Sequence, residues 1–388
     1  MPFRRTRLAA ALAGAGLALV AGHALATGFQ LNEQSASAIG NANAAGAAFT
    51  DDLTAMWWNP AALSAFDKRQ ATAVLHVITP EIKFSNDASV AARNQPLGNN
   101  GGDAGGVNVV PNMFVSLPIT PQFAFGLGIS TPFGLTTEYD DGWIGRYQAL
   151  KSQIKTINVN PAISWRVSPA FSVGVGVNYQ YLDATLSQSV NYSGALLQAG
   201  QIAGLPAGTL AAIAAATPGL DSKATIKADD SAWGWNIGAA WDLTPQVRLA
   251  ASYRSELKFD VRGNVDFNNP AIALPPGTPA AVAGAVTLLS GAVNQTQLFG
   301  RSVQSDIELP AIANLSALFR INPQWEVMAD AQWTGWSSIH ELRFNTTPPL
   351  TTIPLEWDDS WKIALGASYR INQQWKTRFG VAFDQTPV

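Results

Sequence analysis

"FSVGVGVNYQYL", residues 171–182, carries the reading of the fold. Phe171, Val173, Val175, Val177, Tyr179 and Tyr181 alternate with Ser172, Gly174, Gly176, Asn178 and Gln180. Period two marks a strand with one apolar face and one small or polar face. The same rhythm returns in "WGWNIGAAWDL" (233–243), "ANLSALFRIN" (313–322) and "WKIALGASYRIN" (361–372). In "RLAASYRSELKFD" (248–260), Leu249, Ala251, Tyr253, Leu257 and Phe259 read as one face. Arg248, Arg254, Glu256, Lys258 and Asp260 read as the other.

A soluble sandwich alternates too, so strand length and charge must decide. These runs last about 10 to 20 residues, against about 5 or 6 for strands of soluble sheets. Charged residues are 13% of the 388-residue chain, about half the usual share. No mature stretch has the roughly 18 apolar residues of a spanning helix. Low charge with long alternating strands predicts an all-β protein, a transmembrane antiparallel β-barrel. A net charge of -3 argues against a nucleic-acid partner. The absence of cysteine removes disulfides, thiolate nucleophiles and thiolate metal sites together.

The connections have the asymmetry of such a barrel. "ITPQ" (119–122), "VSPA" (167–170), "LTPQ" (243–246), "INPQ" (321–324) and "INQQ" (371–374) read as short hairpin turns. Trp165, Trp241, Trp325 and Trp375 sit beside them, as girdle residues would. Between the turns lie longer segments, 86–106, 191–221 and 268–300. The last two are Ala-rich, and they read as short helices over the loop end or as a hydrophobic landing surface. Strands are read at 70–86, 108–119, 122–138, 152–167, 170–190, 222–243, 246–266, 301–321, 324–346, 355–371 and 374–385. That makes eleven, whereas single-chain bacterial barrels have an even number.

The N-terminus reads as an export signal over residues 1–26. Arg4, Arg5 and Arg7 precede an apolar run, and Ala24-Leu25-Ala26 has the small-x-small pattern of a cleavage site. About forty residues without sustained alternation follow, ending in "DDLTAMWWNPAALSAF" (51–66). Trp57, Trp58 and Met56 would be poorly solvated in water, and Pro60 breaks any helix there. This segment is expected to fold inside the barrel as a plug, a hatch domain over 27–69 ahead of a barrel over 70–388.

These residues carry a resemblance. "GFQLNEQSASAIGNANAAGAA" (28–48), "DD" (51–52) and Asn59-Pro60-Ala61 are similar to the FadL/TodX family of outer-membrane transporters for hydrophobic compounds. So are "TPFGLTTEYDDGWIGRYQALKSQIKTINVNPAISWRV" (131–167), "LPAIANLSALFRI" (309–321) and "EWDDSWKIALGASYRI" (356–371). Asn59-Pro60-Ala61 matches the family's NPA motif. The resemblance implies a barrel of fourteen strands with an N-terminal hatch in its lumen. It also implies passive, gated uptake of long-chain fatty acids or of aromatic or aliphatic hydrocarbons. Release would be lateral, into the outer-membrane lipid of a Gram-negative bacterium, through a kink in the third strand. That kink would lie at Pro132, Phe133 and Gly134, because Pro lacks the ladder N–H and Gly marks a bend. Trp57, Trp58, Asn59, Pro60 and Ala61 would then be hatch and gating residues.

Phe29, Leu31, Arg254 and Lys258 are candidate substrate contacts. Family members for fatty acids hold the carboxylate with basic residues, yet "YQYLDATL" (179–186) on the fifth strand has Asp183 and no base. Arg254 and Lys258 could serve, or could pair with Glu256 and Asp260, which would tilt the substrate toward neutral compounds. About three further strands are implied, so the chain is expected to stop short at its C-terminus. An open seam would then lie between 374–385 and 70–86.

A general diffusion porin, a structural or adhesin barrel and an outer-membrane lipase are the alternatives. The last needs a nucleophile, a base and an orienting acid. His76 and His340 lie in strand runs with no G-x-S-x-G nearby, and His23 falls in the signal. The expected protein is thus a monomeric transporter, not an enzyme, with no cofactor and no metal.

Overall fold

In a computed structural model, residues 28–348, 350 and 353–388 are described. The export signal read over 1–26 lies outside them. The strands are β1 (Gln70–Ile78), β2 (Asn108–Pro118), β3 (Phe123–Ser130), β4 (Gly134–Glu138), β5 (Lys151–Ser168), β6 (Phe171–Asn191), β7 (Asp221–Asp242) and β8 (Val247–Arg254). They continue as β9 (Leu257–Asn268), β10 (Arg301–Leu309), β11 (Ile312–Arg320), β12 (Trp325–Thr334), β13 (Glu341–Leu342), β14 (Ile353–Pro354), β15 (Ser360–Arg370) and β16 (Lys376–Asp384). All but β13 and β14 form one 14-stranded sheet, in the order β1-β2-β3-β5-β6-β7-β8-β11-β12-β15-β16. β4 joins this sheet on β5, and β9 lies between β7 and β10. Every pairing between these strands is antiparallel.

The barrel fold class expected from the strands is corrected here to an open sheet. β1 and β16 end the path, and no pairing joins them among the described residues. The fourteen strands are eleven up-and-down runs, because β3 with β4, β8 with β9 and β10 with β11 are each one run interrupted once. In such an order the eleventh run points the same way as the first. Antiparallel closure takes an even number of runs, so these two edges could meet only as a parallel pair, and no such pair is found among the described residues. The run read over 324–346 also ends early, at Thr334. Beyond Gly335 the chain leaves the ladder and carries Trp336 into full burial.

Alternation puts the apolar face outward, the reverse of a soluble sheet. On β6, Val175, Val177, Tyr179 and Tyr181 are exposed, while Gly174, Gly176, Asn178 and Gln180 are buried. An apolar exterior over a small and polar interior is the pattern of a sheet solvated by lipid. Near the short turns, exposed Trp165 stacks on Phe123 and Trp325 packs on Tyr369.

The inner face wraps the N-terminal segment. Leu63 packs on Gly126 of β3, and Ala47 N donates to Ser316 Oγ of β11 (2.8 Å). Asn41 donates to Met328 Sδ of β12 (2.9 Å) and packs on Gly366 of β15 and Gly380 of β16. One short stretch reaches strands from β3 round to β16 only because the sheet curls about it. Its core joins Leu53, Met56, Trp57, Trp58 and Leu63 to Phe114, Ala162, Met328 and Ala364 of the sheet.

The long connections hold three helices beyond one-turn pieces. They are Tyr192–Ile202, Ala207–Ala216 and Ala280–Thr296. They pack on one another through Leu196, Leu197, Ile213, Val286 and Val293. No described helix is long and apolar enough to cross a membrane.

Candidate functional site

The N-terminal segment is tied to the inner face by groups that local sequence explains. A single helical turn, Ala55–Trp58, ends at Asn59. Pro60, with no N–H to donate, starts the 3-10 helix Pro60–Ala65. Asn59 is fully buried and uses its whole amide. Its Nδ2 donates to Ala47 O (2.9 Å) and to Ala239 O of β7 (3.0 Å), and its Oδ1 accepts from Ala61 N (2.9 Å). The wall leaves room for this: a Cβ on Gly238 would overlap Asn59 Oδ1, and one on Gly174 the Pro60–Ala61 backbone. At the short-turn end, Asp51 accepts from Lys376 Nζ and Arg378 Nη2, both at 2.8 Å. Burial raises the Asp51 carboxyl, but these two cations prevail and hold it below its ordinary value.

The wall breaks where β3 gives way to β4. β2 and β3 pair only as far as Met113↔Ile129, so no ladder joins 108–112 of β2 to β4. On the other side the register on β5 slips by one residue, from Ser130↔Asn158 to Gly134↔Lys155. The three residues between turn to the N-terminal segment instead. Leu31 N donates to Pro132 O (2.8 Å), Gly134 N to Phe29 O (2.9 Å) and Gln34 Nε2 to Thr131 O (3.1 Å). Thr156 Oγ1 holds Phe133 from the β5 side, donating to its carbonyl (2.7 Å) and accepting from its N–H (3.1 Å). Leu31 lies against Gly134, 3.2 Å from where a Cβ would stand.

Behind this break lies an apolar interior. Phe29, Phe133, Ile154, Leu182, Leu257, Phe259, Leu309 and Trp336 share one buried cluster, with Trp357 packed against it. Trp336 is its pivot, with ring centroids at 5.1 Å from Phe29, 6.0 Å from Phe133 and 5.1 Å from Trp357. Among the described residues no group of His, Cys, Asp and Glu is arranged to hold a metal ion.

An interrupted wall strand capped by the chain's own N-terminus, over an apolar interior, is the setting for the comparisons. The family model for the outer membrane protein transport protein (OMPP1/FadL/TodX) matches residues 17–388. The chain belongs to this family. It is 32% identical over 401 residues to the long-chain fatty acid transport protein of Escherichia coli strain K12, covering 100% of this chain and 83% of that one. A crystal structure of a Pseudomonas aeruginosa FadL homologue superposes with a TM-score of 0.73 at 27% identity, over 93% of this chain and 82% of that one. The Ralstonia pickettii toluene transporter TbuX gives 0.61 at 19% identity, over 88% and 85%, and is similar in fold. The FadL/TodX protein described here is therefore an outer-membrane transporter for hydrophobic small molecules, and not an enzyme.

The residues singled out in this FadL/TodX chain fall in three places. Trp57, Trp58, Asn59, Pro60 and Ala61 are all buried between the N-terminal segment and the wall. Phe29, Leu31, Pro132, Phe133 and Gly134 meet at the wall break. Arg254 and Lys258 are separated. Arg254 points inward, donating to Asn178 Oδ1 and to Trp57 O (2.8 Å), with its guanidinium 3.9 Å from the Trp57 ring centroid. Lys258 points outward and pairs with Glu256 and Glu308. The single charged face read over 248–260 is thereby corrected. At Ser255–Glu256 the run slips by one residue, so Tyr253 faces out while Leu257 and Phe259 face in. Trp336 and Trp357 escaped the sequence reading. Both lay in or beside runs taken as strand, and only the density of tryptophan there could have singled them out.

Proposed function

We propose that this protein takes up long-chain amphiphiles such as fatty acids passively, with lateral release into the membrane through the break between β2 and β4. The supporting observation is the set of hydrogen bonds from residues 29–34 to Thr131, Pro132 and Gly134. The N-terminal segment occupies the bonding positions that a continuous strand would give to its neighbour. Movement of residues 29–31 would uncover the break and leave backbone groups to be resatisfied elsewhere, which makes it a gate. Residues 27–69 act as the hatch that keeps water from following. Capture begins at the loop end, where Leu197, Leu210, Ala211 and Ala214 line a groove of about 380 Å³ with Arg93 at its rim. Partition into lipid drives the net flow, at about 0.8 kcal/mol per buried CH₂.

Arg254 supports a carboxylate-bearing substrate over a neutral hydrocarbon. It is buried, and no ion pair to it is found among the described residues. A buried cation without a counter-charge is costly, and a bound carboxylate would relieve that cost. The relation to the E. coli fatty acid transporter favours the same class. The protein acts as a monomer, with no nucleic-acid partner. The test is uptake by cells lacking their own transporter and complemented with this chain, given a panel of fatty acids, alkanes and monoaromatics. Saturable uptake of fatty acids, reduced about tenfold by Arg254→Gln, is expected. Free passage of hydrophilic solutes without saturable uptake of any hydrophobic compound would overturn the reading in favour of a diffusion porin.

A further inference from the structure

The wall has a second interruption, between β7 and β9. Pairing of β7 with β8 runs to Asn236↔Arg254, with Ser255 N donating to Trp235 O (2.9 Å) just beyond it. Pairing of β7 with β9 resumes at Asp229↔Arg262, one residue out of register. Between them, 230–234 on β7 pass 256–261 without a ladder. The carboxylate of Asp230 reaches across to accept from Asp260 N (2.7 Å). A simple bulge leaves one residue unpaired, and this stretch is several times longer. Across this stretch both strands stay paired on their other edges, β7 with β6 and β9 with β10.

Besides the Asp230 carboxylate and Ser255 Oγ, which accepts from Trp235 N (3.0 Å), one apolar side chain closes the interruption. Leu257, 3% exposed, lies beneath Gly234, with its Cδ2 2.7 Å from where a Cβ would stand. Any larger residue at 234 would displace it. Inward, Leu257 and Phe259 belong to the same apolar cluster as Phe29, Phe133 and Trp336. Outward, the stretch is bordered by exposed Trp233 and Trp235, packed beside Tyr179 and Tyr253. Lipid and the apolar interior are thus separated here by Leu257, by the Asp230 and Ser255 side-chain bonds and by backbone without a ladder.

We propose that this interruption is a second lateral portal, with Leu257 as its bolt, through which hydrophobic molecules exchange between the bilayer and the interior cluster. The proposal rests on the reading that such molecules enter that interior. Unlike the break at β4, this one is closed by a wall residue and not by the N-terminal segment. Exchange through it therefore needs a rotamer change at Leu257 and no movement of the hatch.

The chain has no cysteine, which makes thiol labelling clean. Leu257→Cys and Leu309→Cys are compared in the full chain in outer-membrane vesicles, with a long-chain N-alkyl maleimide as the probe. Leu309 is equally buried and pairs with Leu257 across the intact β9–β10 ladder. Labelling of Leu257→Cys at least tenfold faster than Leu309→Cys, slowed several-fold by oleate and unchanged by Gly134→Val, is expected. Equal rates at the two positions would mean entry through the loops and would overturn the portal. Loss of labelling with Gly134→Val would do the same, because access would then run through the first break. Should Leu257→Cys yield no heat-modifiable folded protein, Phe259→Cys is read in the same way. Oleate uptake by the parent in the same vesicles separates this result from the transport reading: no uptake condemns the latter, whereas the labelling ratio reports on the wall alone.

Discussion

The two wall breaks resemble each other in backbone and differ in what closes them. Each has a one-residue slip of register, and each sets a glycine against a leucine: Gly134 against Leu31, Gly234 against Leu257. At the first, the leucine and its main-chain bonds come from the N-terminal segment. At the second, the leucine comes from the wall strand itself. A break capped by a separate segment can be opened by moving that segment, and so can be coupled to whatever else the segment touches. A break capped by its own strand responds only locally. The difference teaches that a gap in a ladder takes its character from the element that completes it.

The largest expected effect tests that division at its pivot. Trp336→Ala removes a fully buried ring packed on Phe29, Phe133 and Trp357. It should cost about 3–5 kcal/mol, read as a lowered temperature of heat-modifiable migration. It should also free residues 29–31 and speed labelling of a cysteine placed at Leu31. Labelling of Leu257→Cys should hold within about twofold, and a parallel rise at both sites would erase the distinction.

Asn59→Ala comes next. It strips three hydrogen bonds from a fully buried site and leaves the Ala47 and Ala239 carbonyls and the Ala61 amide short of a partner. A loss of about 2–3 kcal/mol is expected. A loosened hatch should admit hydrophilic antibiotics, seen as lower minimal inhibitory concentrations, while fatty-acid uptake falls. A folded variant as tight and as active as the parent would mean that the hatch does not depend on this bridge.

Gly134→Val is smaller in stability, about 1–2 kcal/mol from crowding Leu31. Oleate uptake should fall several-fold with the sheet still folded. Unchanged uptake would shift the main exit to the second break and invert the comparison.

The smallest effect is that of pH on the hatch anchor. The Asp51 carboxyl lies below its ordinary value of 3.8 in the folded protein, so its contribution is complete above that value. It is lost as pH falls through the lowered value. Antibiotic leak should therefore stay flat from pH 8 to 5 in the parent. Asp51→Asn should raise leak slightly across that range, by about 0.5 kcal/mol of anchoring. A steep rise in parental leak between pH 7 and 5 would assign hatch retention to another group.

Much of this molecule is legible in its sequence, for a local reason. The period-two runs at 171–182 and 361–372 mark strands and faces because adjacent side chains on extended backbone must point oppositely. The proline and asparagine tetrapeptides mark the short turns because they fix φ or bond their own backbone. Asn59-Pro60 ends one helical turn and caps the next, which the residue types alone require. Other features depend on which residue meets which across the sheet. Tyr253 and Leu257 have the same parity in the sequence yet face opposite sides, because a slip at Ser255–Glu256 costs one residue of register. Arg254 and Lys258 part company for the same reason. The barrel read from the strands is an open sheet, since β1 and β16 find no partner in each other among the described residues. Periodicity determined the strands and their membrane-facing side, because it is a property of each residue and its neighbours in the chain. The second break, the leucines that close both breaks and the burial of Trp336 were decided only by the tertiary structure, because register and closure belong to pairs of residues far apart in sequence.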